Sequence, residues 1–233
     1  MTASSNVAPD GYQPPEQSAD ALKRISFSTT QCAPRAQHYL DAFAAADQLP
    51  KYKHDPSNCK TLLQFPDGTI YYDAKMAIDA DGSPRAKSID PAGQPDTSHH
   101  FPNGHPFNAE EIPYIVLPES KGGETFIKDM GVSLGALAVV IYKNEIAAAI
   151  FADEGPVSRI GEGSIRLHEL LPVHSPWKDD TQSHVYDASV DDKVLVFLFP
   201  NSNIDNQLTP ENAVEKINFA ARARFDQLKH ANP

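Results

Sequence analysis

Only two cysteines, Cys32 and Cys59, occur in the 233 residues, with a single tryptophan and three methionines. Two cysteines are too few for a four-cysteine metal site, and their spacing excludes a Cys-x-x-Cys redox motif. One disulfide and two unpaired buried thiols both stay open. No apolar run approaches the length of a transmembrane helix. Met1 to Gln17 is polar and Pro-containing, without the basic start and apolar centre of a signal peptide, so the chain as it stands is expected to be soluble and to have no membrane partner. Positive charge is also scarce: 20 Lys and Arg face 31 Asp and Glu, a formal net charge of −11. Phosphates would be repelled, which argues against nucleic acid and favours a cationic ligand, although solubility alone would account for the same charge. Internal repeats and low-complexity tracts are absent.

What is present suits one large domain with a substantial core. Residues 1–22 read as a flexible arm rich in Pro, Ser, Ala and acids, and residues 23–233 as a single domain. Pro34 can open a helix running to Ala46 with Tyr39 and Phe43 on one face. Short apolar strands are expected at Thr69–Ile78, Ile112–Pro118, Leu134–Tyr142, Ile146–Ala152 and Val194–Phe199. Lys143-Asn144-Glu145 should join two of these as an antiparallel hairpin, with Asn144 tolerating the left-handed conformation. The small run Ala147-Ala148-Ala149 permits the close approach of a tightly curved barrel. Ser164 can cap a short helix through Leu171, and Thr209-Pro210-Glu211 opens a final helix whose apolar face reads Val214, Ile217, Ala221, Phe225 and Leu228. The segment from Ile89 to Phe107 is loop-like. The sum is a mainly β (α+β) domain with peripheral helices.

The chemistry concentrates where the apolar strand ending at Ala152 runs into Asp153-Glu154-Gly155-Pro156 and then Gly161-Glu162-Gly163-Ser164. Two carboxylates separated by two turns can face each other across a cleft and supply the proton donor and the base of glycosidic hydrolysis. An acid-rich surface loop is the plain alternative. Glu154, if the strand persists, points away from Asp153 and into solvent. Asp79 and Asp81 resemble the opening of a calcium loop but lack its remaining ligands, so contact with a cationic substrate is the better functional reading and an Asp turn the structural one. Lys75 could orient one of the acids or simply be solvated. Tyr114, Tyr142 and Trp177 could stack on sugars or belong to the core. His99, His100 and His105 lack the carboxylate framework of a zinc site. No metal and no cofactor are expected.

Four separated blocks together resemble the fungal and bacterial chitosanases of glycoside hydrolase family 75: Lys75-Met-Ala-Ile-Asp79-Ala-Asp81-Gly82, Ile112-Pro-Tyr-Ile-Val-Leu-Pro118, Leu134-Gly-Ala-Leu-Ala-Val-Val-Ile-Tyr142, and Asp153-x-Gly-Pro followed by Ile160-Gly-Glu162-x-Ser164. They span residues 61 to about 172. The resemblance implies a double-psi β-barrel-like domain and a secreted endo-chitosanase that cleaves β-1,4 bonds between glucosamine units with inversion. It implies Asp153 and Glu162 as the catalytic acids. Lys75, Asp79, Asp81, Tyr114 and Trp177 are the accompanying candidates for substrate contact, and the expected partner is chitosan or its oligosaccharides, met by a monomer. Because Asp153 ends an apolar strand, it is favoured as general acid and Glu162 as general base, with the reverse assignment open. A non-catalytic domain binding cationic polysaccharide, or a peptidoglycan lytic enzyme on a related barrel, are the competing functions.

Overall fold

A computed structural model describes residues 12–47, 59, 61–119, 125–172, 175–185 and 190–231. Eight strands form one sheet: β1 (Gln31–Cys32), β2 (Leu62–Gln64), β3 (Ile70–Asp79), β4 (Tyr114–Pro118), β5 (Leu137–Tyr142), β6 (Glu145–Gly155), β7 (Glu162–Ser164) and β8 (Val190–Phe199). Their order is β1-β2-β3-β7-β4-β6-β5-β8, and a further β3–β8 pairing closes the last six into a barrel. Closure removes the unpaired edges that an open sheet of such apolar strands would expose. The mainly β barrel with peripheral helices expected of the sequence is therefore the fold, with β1 and β2 as two strands added outside the closed six. No helix among the described residues is long and apolar enough to cross a membrane.

The buried runs explain the closure. Leu137–Ile141 and Ala147–Ala152 are buried throughout, so both faces of β5 and of most of β6 are covered. They pair antiparallel, with Tyr142 opposite Glu145 across a two-residue turn. The left-handed residue there is Lys143, at φ 53, and not Asn144. Asn144 instead accepts hydrogen bonds from the backbone N–H groups of Asp20 and Ala21.

Helix α5 (Ala213–Ala231) packs against β5 and β6 through Ala213, Ile217, Ala221, Phe225 and Leu228, all buried. Val214, expected on that face, is 38% exposed, and the neighbouring Ala213 takes its place. Helix α1 (Ala36–Asp47) buries Tyr39, Leu40 and Phe43. The short α2 (Ala86–Ile89), α3 (Phe126–Asp129) and α4 (Ile165–Glu169) lie between strands. Ser164 caps α4 as expected, its hydroxyl accepting from the Leu167 N–H.

Of the segment expected as a flexible arm, residues 1–11 lie outside the described residues. From Tyr12 onward it joins the core: Ser18, Ala21 and Leu22 are buried, and the hydroxyls of Tyr12 and Tyr71 are hydrogen-bonded. The apolar Ala21-Leu22 pair outweighs the polar composition around it.

Cys32 and Cys59 are joined in a disulfide spanning a sequence separation of 27. Closing a loop of that length restricts the unfolded chain by roughly 3.5 kcal/mol in the chain-entropy account. Reduction of the native protein should lower Tm by about 7–14 °C, measurable by calorimetry with and without reductant.

Candidate active site

Both sequence-favoured acids lie on strands, and one residue of a third strand relates them. Strand β4 sits between β6, to which it is parallel, and β7, to which it is antiparallel. Val116 of β4 is the register partner of Asp153 on one side and of Glu162 on the other. Register partners share a sheet face, so both carboxyl groups emerge on the Val116 side, about two strand spacings, roughly 9.5 Å, apart at their Cα atoms. One strand further on, Ala77 of β3 is the partner of Glu162. The row Asp153, Val116, Glu162, Ala77 thus crosses four strands with two acids separated by a valine.

A bulge makes this row possible. Ile115 pairs with Phe151 but Val116 pairs with Asp153, leaving Ala152 as an extra residue of β6. Such an insertion re-aims the side chains that follow it. Without it Ala152 would face Val116 and Asp153 would point to the other side. The Ala152 carbonyl accepts the His99 N–H instead. Gly155, two residues beyond Asp153, keeps the surface between the acids open: a Cβ there would lie 3.0 Å from Val116 Cγ1 and 3.5 Å from Glu162 Oε2.

The two acids have different surroundings. Asp153 is 6% exposed, and its Oδ1 accepts from the Ser98 N–H at 2.7 Å, the Ser98 hydroxyl at 2.6 Å and the Glu154 N–H at 2.9 Å. Burial raises its pKa above the ordinary carboxylate value, and these donors, which favour the anion, pull against that rise. Glu162 is half-buried, and its pKa is pushed up to about 7, first by burial, while Lys75 opposes the rise and Asp81 and Asp153 add to it. Lys75 lies two residues before Ala77 on β3, on the same face and diagonal to Glu162. Glu154 is exposed, as strand alternation anticipates.

Asp79 ends β3, on the same face as Lys75 and Ala77, and is 7% exposed. Its Oδ1 accepts the Asp81 N–H at 2.9 Å, and Asp81 Oδ1 in turn accepts the Gln94 N–H at 2.7 Å. Burial and the neighbouring acids raise both: Asp81 to about 6, Asp79 well above its usual range. Asp79, Asp81 and Asp153 each place one carboxylate oxygen within 4.8 Å of the others, the one His/Cys/Asp/Glu group among the described residues close enough to surround a cation. Crowding of acids alone does not make a metal site, and Asp79 and Asp153 already engage protein donors.

Two aromatic candidates take other roles. Tyr114 is fully buried, so it offers no face to a sugar; its hydroxyl lies 3.0 Å from both Asp79 Oδ2 and the Asp81 carbonyl. Trp177 is 7% exposed, donates its indole N–H to Glu169 at 3.0 Å, and has the Arg85 guanidinium over its ring at 5.1 Å. That face is occupied, which removes Trp177 as a sugar platform.

The histidines do not gather either. His99 Nε2 lies 3.0 Å from Asp205 Oδ1 and its ring stacks on Phe107, and His100 is hydrogen-bonded to Asp96 at 2.7 Å. The residue that sequence reasoning missed is Ser98. Its loop gives no periodic signal, and only the fold brings it to Asp153.

Residues 76–227 match the sequence model described as fungal chitosanase of glycosyl hydrolase group 75, and the chain belongs to that family of hydrolases. No curated protein matches it.

The Ser98 hydroxyl serves the ionised form of Asp153, so its contribution exists above the pH at which Asp153 ionises and disappears as the carboxyl protonates. Ser98→Ala should lower stability at pH 7 by about 2 kcal/mol, or roughly 4–8 °C in Tm, with the difference shrinking toward pH 3. Thermal melts of both proteins across that range check it.

Proposed function

We propose that this member of the group 75 chitosanase family is a secreted endo-chitosanase, hydrolysing β-1,4 bonds between glucosamine units with inversion at the anomeric carbon. The observation that carries the reading is the shared partner Val116, which holds Asp153 and Glu162 on one face at about two strand spacings. Inverting hydrolysis needs carboxyl groups about 6.5–9.5 Å apart, leaving room for a water beside the sugar, whereas a retaining pair stands only about 5–5.5 Å apart. The Cys32–Cys59 disulfide favours an oxidising compartment, in keeping with export.

The roles follow from the surroundings. Glu162, raised to about 7, keeps a proton in mildly acidic solution and gives it to the departing glycosidic oxygen. Asp153, with three donors on one oxygen, is the ionised partner that draws a proton from the attacking water. This reverses the assignment favoured by the apolar strand alone, because Ser98 supplies what the strand lacks. As the glycosidic bond breaks, positive charge develops on the sugar ring, and the surrounding acids stabilise it. Asp81, half-buried with Oδ1 held by Gln94, is the carboxylate best placed to pair with a substrate ammonium group. Lys75 tunes Glu162 through its charge and does not touch the reacting atoms.

Asp153→Asn and Glu162→Gln should each lower kcat on chitosan by at least about 100-fold while chitosan binding persists. A wild type that binds chitosan but releases no reducing ends would instead identify a binding domain. In kcat/KM the acidic limb should reflect Asp153, and the alkaline limb should fall above about pH 7 as Glu162 loses its proton. Lys75→Met removes the charge that holds the Glu162 pKa down, so its alkaline limb should move to higher pH. An unmoved limb would take the acid role away from Glu162.

A further inference from the structure

The Tyr114 hydroxyl poses a proton-counting problem. It lies 3.0 Å from Asp79 Oδ2 and 3.0 Å from the backbone carbonyl of Asp81. A phenol has one proton, and a carbonyl can only accept. If Asp79 were a carboxylate, two acceptors would share that single proton. An anion 7% exposed would then face Asp81, Asp153 and Glu162 with a divided hydrogen bond on one oxygen and the Asp81 N–H on the other. If Asp79 is a carboxylic acid, every position is satisfied. Oδ2–H donates to Tyr114 Oη, the Tyr114 hydroxyl donates to the Asp81 carbonyl, and Asp79 Oδ1 accepts the Asp81 N–H.

We propose that Asp79 is a positioning residue that works as a neutral carboxylic acid, fixing Tyr114 and the Asp79–Asp81 turn, and that it is not an anionic contact for substrate. The groups facing it are Tyr114 from β4, Asp81 from the turn after β3, Asp153 from β6 and Glu162 from β7, all acidic or phenolic. Burial and these neighbours favour the proton on Asp79, in the same direction as the hydrogen-bond count. The consequence for the site rests on the chitosanase reading: Asp81 carries the ammonium-pairing role, and Asp79 holds Asp81 in place through its N–H and, by way of Tyr114, its carbonyl. A neutral Asp79 also removes one negative charge from beside the reacting pair.

Asparagine is nearly isosteric with this acid. Its Oδ1 can accept the Asp81 N–H and its Nδ2 can donate to Tyr114. In the wild type, a buried acid whose pKa is raised on folding contributes stability at low pH that is lost as pH rises above the ordinary carboxylate value. The amide introduced by Asp79→Asn does not titrate and has no such loss. The Tm of Asp79→Asn minus that of the wild type should therefore increase from pH 4 to pH 8, by at least about 3 °C. A difference that stays flat or falls with rising pH would show Asp79 ionised and overturn the proposal.

A second arm uses chitosan hydrolysis. Asp79→Asn should keep more than about a tenth of wild-type kcat/KM, while Asp79→Ala, which cannot bridge Asp81 and Tyr114, falls below about a hundredth. Equal losses in the two variants would contradict a neutral donor. Should the wild type fail to cleave chitosan, the functional reading falls, yet the pH dependence of Tm still decides where the proton lies.

Discussion

The register of β4 against its two neighbours is the constraint on which the site depends. A valine cannot take part in proton transfer, yet Val116 fixes the span between Asp153 and Glu162, because each acid is hydrogen-bonded through its backbone to the strand that carries it. Barrel closure makes that span rigid: β4 has a neighbour on both sides, and so do β6 and β7. Sheet ladders position side chains more firmly than loops can, and a slip of one residue would turn an acid to the wrong face. The extra residue at Ala152 breaks the ladder between β4 and β6, and it brings Asp153 into the row.

A row of acids carries an electrostatic cost. Burial raises the pKa values of Asp79, Asp81, Asp153 and Glu162, and Asp153 adds to the rise at the other three. The protein meets this with different means at each position. Asp153 receives three hydrogen-bond donors, Glu162 has Lys75 nearby, Asp81 keeps contact with solvent and a backbone N–H, and Asp79 has a phenol with which a proton can be shared. Environments that push neighbouring carboxyl groups to different protonation states are what two-acid hydrolysis requires. The formal charge of −11, ambiguous when taken as a whole, includes this concentrated patch.

Much of this was legible in the residues. Long buried runs marked β5, β6 and β8, the Lys143-Asn144 turn marked the hairpin, and the Gly and Pro residues around Asp153 and Glu162 marked a place where acids are held. Other features depend on contacts distant in sequence. Strand β7 is three residues long and has no period to detect. The bulge at Ala152 is invisible because the run Ile146–Ala152 that contains it is uniformly apolar and shows no alternation to interrupt. Ser98 reaches Asp153 across 55 residues, and the burial of Tyr114 and Trp177 reflects partners, Asp79 and Arg85, that no local pattern announces. At the hairpin, Lys143 rather than Asn144 is left-handed, and the Asn144 side chain holds the chain at Asp20 and Ala21, a contact distant in sequence.

On the proposed reading, a pair of carboxyl groups held apart by one intervening strand directs a water to the face of the sugar opposite the departing oxygen. The stereochemistry of the first product formed tests this most directly. Proton NMR of chitosan oligosaccharide hydrolysis, followed from the earliest time points, should detect the α-anomer at the new reducing end before mutarotation produces the β-anomer. Initial appearance of the β-anomer would mean retention through a covalent intermediate, and would contradict the separation of Asp153 and Glu162 on which the account rests.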